Sequence, residues 1–253
     1  MFFSKPGEYE ANGLFNISHF TLLFITLFVI AISLFFTYKY SKVQVRNIIK
    51  FSTIMLWVLE IIKIIFNLCV GNSLNINTYI PLYYCSLVLY AGIFSGFCKG
   101  ILRKVGDVFL ATGGIVAGLG FLFSPVTSLW AYPIFHFISI QSFILHGTMV
   151  YLGLLVNITN YIKLKLKDFK YYFILIIIIS LIAYIINLIF GSNLMFISQN
   201  YLGTIIEPIY NLTGKLFTPI AILAQAIIPF YVMYYVIRYV KNHINIENDN
   251  ELC

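Results

Sequence analysis

The sequence predicts an all-α, polytopic membrane protein that has seven transmembrane helices, an external N-terminus and a cytoplasmic C-terminus. Three observations favour this fold class: the composition, the length of the apolar runs and the distribution of the basic residues. Of the 253 residues, 60% are hydrophobic and only 10% are charged. These numbers exclude a water-soluble domain with an ordinary charged surface. They also exclude a disordered chain, because so apolar a chain would not stay solvated.

Seven apolar runs are long enough to cross a bilayer, since a helix of about 20 residues spans a hydrocarbon core of about 30 Å. We predict transmembrane helices at residues 18–38, 47–70, 79–98, 105–123, 134–157, 171–190 and 217–239. The polar residues 8–16 precede the first run, which argues against a cleaved signal peptide. We therefore expect residues 1–253 to form a single transmembrane domain without a separate soluble part.

The basic residues determine the predicted orientation. Most of the 16 lysines and arginines lie after the first, third and fifth predicted helices or at the end of the seventh. By the positive-inside rule these parts are cytoplasmic. Residues 1–17 are then an external segment, residues 191–216 an external loop and residues 242–253 a cytoplasmic tail. The external loop is rather apolar, so we expect it to lie in the membrane interface as a lid or to be a plain linker.

The net charge and the cysteines argue against several other kinds of function. The net charge is +7, but its position at the predicted membrane faces favours lipid headgroups over nucleic acid. The cysteines are too few and too scattered for a disulfide framework or a paired-cysteine metal site: Cys69, Cys85, Cys98 and Cys253. We expect no cofactor and no bound metal, because a zinc site would require distant histidines to converge in space.

Two acidic residues within predicted helices have a basic partner nearby. Glu60 and Lys63 stand three residues apart on the second predicted helix, on the same side, and can form an ion pair. Such a buried pair either fixes the rotation of the helix or belongs to a functional site. Asp107 follows Arg103 by four residues near the cytoplasmic end, where we expect an ordinary surface pair.

The fifth predicted helix carries a stripe of polar or small residues on an otherwise apolar sequence. Its members recur at helical spacing: Ser139, Ser142, His146, Gly153 and Asn157. A stripe of this kind faces protein or a wet cavity. His146 lies near the middle of the membrane and Gln141 lies on the same helix, so both are candidate functional residues. His19 and His136 stand at outer helix ends, where interfacial anchoring is the simpler role.

Cys85, on the third predicted helix, is a candidate nucleophile only if a base lies beside it. A lone cysteine in a helix usually behaves as a small hydrophobic residue. A neighbouring histidine would activate its thiol, which makes His146 the candidate partner. The predicted helix boundaries place Cys85 about 9 Å and His146 about 18 Å below the outer ends of their helices. Close approach therefore requires tilt or different helix starts.

Small residues are frequent in the third and fourth predicted helices. They allow two membrane helices to approach closely. The residues concerned are Gly92, Gly96, Gly100, Gly113, Gly114, Ala117, Gly118 and Gly120. We expect a tight hairpin that presents Cys85 to the interior of the bundle.

The run Tyr79-Ile80-Pro81-Leu82-Tyr83-Tyr84-Cys85 resembles the Leu-Pro-Leu-His-x-Cys-like signature of the YwaF-type bacterial membrane proteins. Those proteins share a family with a human transmembrane phospholipid acyltransferase. Further matches follow in the same order: His19-Phe20, Glu60 with Lys63, Ser124-Pro125, His146-Gly147, and Asn200-Tyr201 with Pro208. The resemblance covers nearly the whole chain and the same number of spans.

This resemblance implies roles for individual residues. Cys85 would be the acyl-accepting nucleophile and His146 its base. The residues that orient the substrate or bind a lipid headgroup would come from the following set: Glu60, Lys63, His19, Gln141 and Asn200. One departure affects the signature itself, because the histidine of the family stands here as Tyr83.

Three functions remain open from the sequence. The first is a cysteine-dependent lipid acyltransferase or transacylase that acts on phospholipids and lysophospholipids in the outer half of the membrane. The second is a small-solute transporter or ligand-binding protein with a polar pocket at Glu60, Lys63, Gln141 and His146. The third is a structural membrane protein whose polar residues only fix helix packing. The heavy use of Ile, Phe, Tyr, Asn and Lys suggests an AT-rich genome and a bacterial plasma membrane.

Overall fold

The computed structural model describes residues 1–71 and 76–250, and in these ranges the chain is all-helical. The main helices are α1 (Ile17–Thr37), α2 (Lys42–Phe66), α3 (Leu87–Phe97), α4 (Gly100–Phe123), α5 (Phe137–Ile158), α6 (Phe169–Phe190), α7 (Ile206–Thr213) and α8 (Phe217–Asn250). A π-helical turn at Asn67–Gly71 continues α2, and another at Leu110–Gly114 interrupts α4. The end of the predicted cytoplasmic tail, residues 251–253, lies outside the described residues.

Several helices begin or end at residues that satisfy free backbone groups. The side chain of Asn16 accepts a hydrogen bond from the backbone N–H of His19 at the start of α1. Ser41 and Gln44 form a capping box at the start of α2. Gly191 ends α6 with a φ of 61°, a left-handed conformation that glycine adopts without strain. The start of α1 and the end of α6 lie within one residue of the predicted ends, whereas α2 begins five residues before its predicted start.

Six helical stretches in the described ranges are long and apolar enough to cross a membrane, and they contain α1, α2, α4, α5, α6 and α8. Large apolar side chains stand exposed along several of them, as at Phe28 of α1, Ile185 of α6 and Val232 of α8. Exposed apolar surface of this extent is compatible with lipid and not with water. The prediction of a multi-pass helical membrane protein is confirmed.

The third predicted helix, residues 79–98, is the part of the fold that the sequence predicts wrongly. Helix α3 has only 11 residues and begins at Leu87. It therefore rises about 16 Å, roughly half of a hydrocarbon core. Pro81 offers one reason, because it lacks a backbone N–H and disfavours helical geometry in the residue before it. The segment before α3 is irregular and ends in turns at Tyr84–Ser86.

Glycines allow the central helices to pack backbone to backbone. A Cβ atom on Gly106 of α4 would lie 2.5 Å from the backbone nitrogen of Ser95 on α3. A Cβ atom on Gly153 of α5 would lie 2.7 Å from the carbonyl oxygen of Leu110. The expected tight α3–α4 contact is present, but Gly106 makes it, whereas Gly92 of α3 packs against Thr53 of α2.

The connection between α6 and α8 has a buried part and an exposed part. Leu194, Met195 and Ile197 are fully buried in the core, and the side-chain amide of Gln225 on α8 donates a 2.9 Å hydrogen bond to the carbonyl oxygen of Met195. Helix α7 follows and buries none of its residues. The first half of the predicted external loop is therefore an integral part of the bundle.

Polar contacts join the basic connections at one end of the bundle. The guanidinium of Arg46 donates to the carbonyl oxygens of Gly96 at 2.9 Å and Cys98 at 2.8 Å. The Nζ atom of Lys104 lies 3.0 Å from a carboxylate oxygen of Asp168. The α1–α2, α3–α4 and α5–α6 connections thus meet at one end, which we call the basic end.

Asp107 is less exposed than the sequence suggests. Its carboxylate lies 3.7 Å from Nε of Arg103, as the spacing predicts. It also accepts a 2.5 Å hydrogen bond from the hydroxyl of Ser95, and the residue is buried. The expected surface pair is therefore a buried contact between α3 and α4, because the short α3 packs directly over it.

Candidate functional site

A cavity of about 300 Å³ lies between α2, α5 and the irregular segment that precedes α3. Its walls come from five parts of the chain: residues 63–67, 77–86, 127–132, 138–146 and 196. They include all three connections that the sequence assigns to the external side, represented by Thr78, Tyr132 and Phe196. The cavity is therefore placed at the end of the bundle that lies away from the basic end.

Four of the residues singled out in the sequence line this one cavity: Lys63, Cys85, Gln141 and His146. Glu60 stands directly behind them. Its carboxylate lies 2.6 Å from Nζ of Lys63 and accepts a 3.4 Å hydrogen bond from the side-chain amide of Gln141. The second predicted helix, the fifth and the segment around Cys85 thus meet at one polar site.

The buried carboxylate of Glu60 holds two side chains of the cavity wall, Lys63 and Gln141, in position. Glu60 is only 1% exposed, whereas the side chain of Lys63 is 22% exposed. A carboxylate removed from water requires both a counter-charge and hydrogen-bond donors. Lys63 supplies the charge and Gln141 supplies a donor. The ammonium of Lys63 is in turn held at the cavity, where it can meet a negatively charged ligand.

His146 has a defined orientation in the cavity wall. Its Nδ1 atom lies 2.7 Å from the carbonyl oxygen of Ser142, one turn earlier on α5. The ring stacks on Phe121 of α4, with 3.6 Å between centroids and 8° between planes. Because a carbonyl oxygen only accepts hydrogen bonds, Nδ1 carries the proton and Nε2 keeps the lone pair. A neutral histidine of this tautomer can act as a base through Nε2.

Cys85 lies at the start of α3 because that helix begins late. The backbone N–H of Val88 donates a 3.2 Å hydrogen bond to the carbonyl oxygen of Cys85, which places the cysteine in the first turn. The thiol is free and partly buried. Cys85 and His146 line the same cavity, although the sequence places them at different depths below the ends of their helices.

Tyr83, which replaces the histidine of the resembled signature, also lines the cavity. Its ring lies 4.9 Å from that of Phe196 in the buried part of the α6–α8 connection. The next residue, Tyr84, points into the core, where its hydroxyl bonds to that of Tyr172. The signature segment therefore divides its side chains between the cavity and the core.

His19 and Asn200 do not line the cavity. His19 is fully buried at the start of α1, with Nε2 3.0 Å from the carbonyl oxygen of Leu122 and Nδ1 accepting from the backbone N–H of Phe15 at 3.2 Å. These contacts tie α1 to α4. Asn200 follows the buried part of the α6–α8 connection, and its Oδ1 atom is buried without a hydrogen-bond partner in the described ranges.

Asn67 is a cavity residue that sequence reasoning missed. It begins the π-helical turn after α2, is almost fully buried, and donates a 3.2 Å hydrogen bond to the carbonyl oxygen of Thr78. π-helical turns are frequent at functional sites because they redirect side chains. An asparagine between Phe66 and Leu68 in an apolar run was the available signal.

His136 connects the N-terminal segment, at Ser4, to the start of α5 beside the cavity. It caps α5 by accepting from the backbone N–H of Ile138 at 3.1 Å, and its Nε2 lies 3.2 Å from the carbonyl oxygen of Ser4. Its ring stacks on Tyr132, a cavity residue. Burial lowers the pKa of His136 from its ordinary value of 6.5, because the charged imidazolium is poorly solvated there.

The candidate site offers nucleophile and base chemistry without an evident metal centre. In the ranges that the structure describes, no group of three His, Cys, Asp or Glu residues is placed to hold a metal ion. What the cavity brings together is a thiol, a neutral imidazole and an ammonium that is paired with a carboxylate.

Comparison with known proteins gives one match. The model of the TMEM164 family, a family of membrane proteins, matches residues 14–239. The matched range begins just before α1 and ends within α8, so it contains the whole cavity and all the spanning helices except the end of the last one. No curated protein and no solved structure matches the chain.

Proposed function

This chain belongs to the TMEM164 family of membrane proteins, and on that premise we propose that it is a membrane-embedded lipid acyltransferase or transacylase. Cys85 is the nucleophile and His146 is its base. The substrates are a diacyl phospholipid, which donates an acyl chain, and a lysophospholipid, which accepts it. An acyl chain is already dissolved in the bilayer, so a site within the membrane suits this chemistry.

The observation that carries the proposal is the presence of Cys85 and His146 in the wall of one cavity. They come from different elements, the turn before α3 and the middle of α5. A cysteine becomes an effective nucleophile when a histidine accepts its proton. The Nε2 lone pair of His146 is free for that role, since Nδ1 is engaged with Ser142.

The first half of the reaction forms a thioester. His146 Nε2 takes the proton of the Cys85 thiol, and the sulfur attacks the ester carbonyl carbon of the donor lipid. The bond between that carbon and the ester oxygen then breaks. His146 returns the proton to the leaving oxygen, which releases a lysophospholipid and leaves the acyl chain on Cys85.

The second half transfers the chain to the acceptor. His146 removes the proton from a hydroxyl of the lysophospholipid, and the oxygen attacks the thioester carbonyl carbon. The carbon–sulfur bond breaks, and the thiolate of Cys85 recovers a proton from His146. The apolar surroundings suppress hydrolysis of the thioester by keeping water away from it.

Lys63 is the candidate for stabilising negative charge during both halves. Its ammonium faces the cavity and is positioned by the buried carboxylate of Glu60. It can bind the phosphate of a lipid headgroup or the oxyanion that forms on the carbonyl. Gln141, which holds the other oxygen of Glu60, is a positioning residue in this scheme.

We propose that the chain crosses the membrane seven times, with an external N-terminus and a cytoplasmic basic end. Residues 79–97 make the third crossing as an irregular half followed by α3. Support comes from the basic connections, which gather at the end opposite the cavity. The cavity then opens toward the outer half of the bilayer. From its composition we propose a bacterial plasma membrane as the location.

The first prediction is that acyl transfer depends on Cys85. We would incubate the purified protein in mixed micelles with an isotope-labelled diacyl phospholipid and an unlabelled lysophospholipid, and follow the products by mass spectrometry. Cys85→Ala should lower the rate by at least about a thousandfold, because the covalent intermediate cannot form. Cys69→Ala is the matched control, since Cys69 is also a free cysteine but lies exposed outside the cavity lining.

The control variant should transfer acyl chains at the wild-type rate. A Cys85→Ala variant that keeps its activity would remove the cysteine from the mechanism. Absence of transfer by the wild-type protein with every donor and acceptor pair would contradict the enzymatic proposal as a whole.

A second candidate function, transport or binding of a small solute, is favoured by the buried Glu60–Lys63 pair. Ionisable groups within a membrane commonly belong to substrate or proton paths. The two candidates are distinguished by their sensitive residues. Proton-coupled uptake into liposomes would be lost in Glu60→Gln and kept in Cys85→Ala, whereas acyl transfer requires Cys85.

A further inference from the structure

Two further cavities lie at the basic end, between the end of α5 and residues 233–242 of α8. One cavity, of about 340 Å³, has three cationic side chains in its wall: Lys163, Arg238 and Lys241. The other, of about 450 Å³, is mainly apolar and follows α5 and α8 into the bundle. The two share Asn160, Ile237 and Lys241, so they adjoin each other, and we call them together the groove.

The polar half of the groove is positively charged among the residues whose side chains the structure describes. Neither lining includes an acidic residue within the part of the chain that the structure describes. Lys241 is close enough to Lys163 for their charges to repel, and its Nζ atom donates a 2.7 Å hydrogen bond to the neutral amide of Asn160. Three cations held around a cavity without a carboxylate favour a phosphate group.

The apolar half of the groove faces the region of the lipid chains. Val236 and Val240 of α8 and Ile158 of α5 line it or adjoin it and are each nearly half exposed. Val236 precedes Lys241 by five residues, which corresponds to about 8 Å along the helix. A phospholipid whose phosphate lies at the three cations would therefore place its first acyl carbons against these side chains.

Asn157 supplies an independent indication that the groove has a ligand. Its side-chain nitrogen donates to the carbonyl oxygens of Ala111 at 3.0 Å and Gly153 at 2.8 Å. Its Oδ1 atom is buried and has no hydrogen-bond partner among the described residues, although Asn157 lines the apolar cavity. A buried acceptor without a donor is unfavourable, so this polar atom beside the apolar half would be satisfied by a donor that enters with a bound ligand, such as a water molecule.

We propose that this groove binds one anionic phospholipid. The site is separate from the cavity at Cys85, because Asn157 lies eleven residues beyond His146 on α5, about 16 Å along that helix. The lipid packs between α5 and α8 and holds the end of α8 against the bundle. The proposal does not depend on acyl transfer, since it concerns residues that the reaction does not use.

The test is lipid retention measured by native mass spectrometry. The full chain is reconstituted with equal amounts of phosphatidylglycerol and phosphatidylcholine and released from detergent, so its acidic tail is present in every sample. We expect the wild type to retain one phosphatidylglycerol molecule, with at least about a tenfold preference over phosphatidylcholine. The variant Lys163→Gln/Arg238→Gln/Lys241→Gln should lose this preference.

Two further variants separate a built site from general surface charge. Lys39→Gln/Lys42→Gln/Lys99→Gln removes the same charge from exposed positions among the basic connections and should keep the preference. Val236→Trp keeps every charge but fills the apolar half, and should reduce lipid retention without unfolding the protein, because Val236 is already exposed.

Three results would overturn the proposal. Equal loss in both triple variants would show attraction by general surface charge. Retention that is unchanged in Val236→Trp would show that the acyl chains do not use the groove. Displacement of the lipid by millimolar inorganic phosphate, together with binding of that phosphate alone, would identify the site as one for a soluble phosphate.

Discussion

At the scale of single residues, the candidate site is defined by how each polar group is paired. His146 is paired at Nδ1 alone, which leaves Nε2 available to a thiol. Glu60 is paired on both oxygens, which leaves Lys63 positioned and partly exposed. The hydrogen bonds and the ion pair stabilise these polar side chains within the bundle, while His146 and Lys63 still line the cavity.

The buried ion pair makes a second prediction, concerning stability. Glu60→Gln leaves Lys63 without its counter-charge and should lower the free energy of unfolding by about 3 kcal/mol. The double variant Glu60→Gln/Lys63→Gln removes both charges and should be less destabilised than Glu60→Gln alone. Unfolding in detergent micelles measures both. Purely additive effects of the two substitutions would contradict a coupled pair.

The protonation of His136 makes a third prediction, concerning pH. Its pKa is lowered in the folded protein, so the neutral form stabilises the fold. The contribution of neutral His136 to the free energy of unfolding is fully present above its ordinary pKa of 6.5. It is lost as the pH falls through the lowered pKa. The positive charge of the N-terminal ammonium also lowers the pKa of His136, because it repels the imidazolium. We expect residues 1–4 to become accessible to protease on acidification.

The matched variant for this test is His136→Gln, which keeps a hydrogen-bonding side chain but does not titrate. Its protease sensitivity in residues 1–4 should be the same at pH 7.5 and at lower pH. A pH response that persists in His136→Gln would assign the titration to another group.

At the scale of elements, helix contacts depend on small residues that only the structure identifies. The sequence predicts a tight contact between the third and fourth helices and names several glycines for it. Gly106 makes the close approach of α4 to α3. The sequence does not indicate this role, because Gly106 lies near the charged residues Lys104 and Asp107, where a surface position is expected. Periodicity indicates that small residues matter, but the rotation of each helix determines which of them touch.

Gly106 therefore makes a fourth prediction, with a control on the same helix. Gly106→Ala should destabilise the protein by about 2 kcal/mol, because the new methyl group would meet the backbone of α3. Gly120→Ala has open space around its Cβ position and should be neutral or slightly stabilising, by up to about 1 kcal/mol. Equal effects in thermal unfolding would contradict the close packing.

The limits of sequence reasoning at this scale are physical. The long spans α1 and α5 lie within a few residues of their predicted positions, because twenty apolar residues can only be placed across the membrane. The short α3 and the burial of Leu194, Met195 and Ile197 were not predicted, since both depend on contacts with distant parts of the chain. The hydrogen bond from Gln225 to Met195 is one such contact.

At the scale of the whole molecule, the bundle has two chemically different ends. The cavity with Cys85 and His146 lies at one end, under connections that carry few charges. The basic connections and the groove at Lys241 lie at the other. The residues of the candidate site were identified in the sequence individually. Their convergence required the fold, because the late start of α3 leaves Cys85 in the irregular segment that lines the same cavity as His146.

The central claim is that Cys85 carries an acyl chain during turnover, and intact-protein mass spectrometry tests it directly. The protein is supplied with a labelled diacyl phospholipid and no acceptor, and is then digested to locate any adduct. We expect the mass of one acyl group on the peptide that contains Cys85, removed by hydroxylamine and absent from Cys69. A chain that transfers acyl groups but never carries one on Cys85, or that acylates Cys69 equally, would contradict the account.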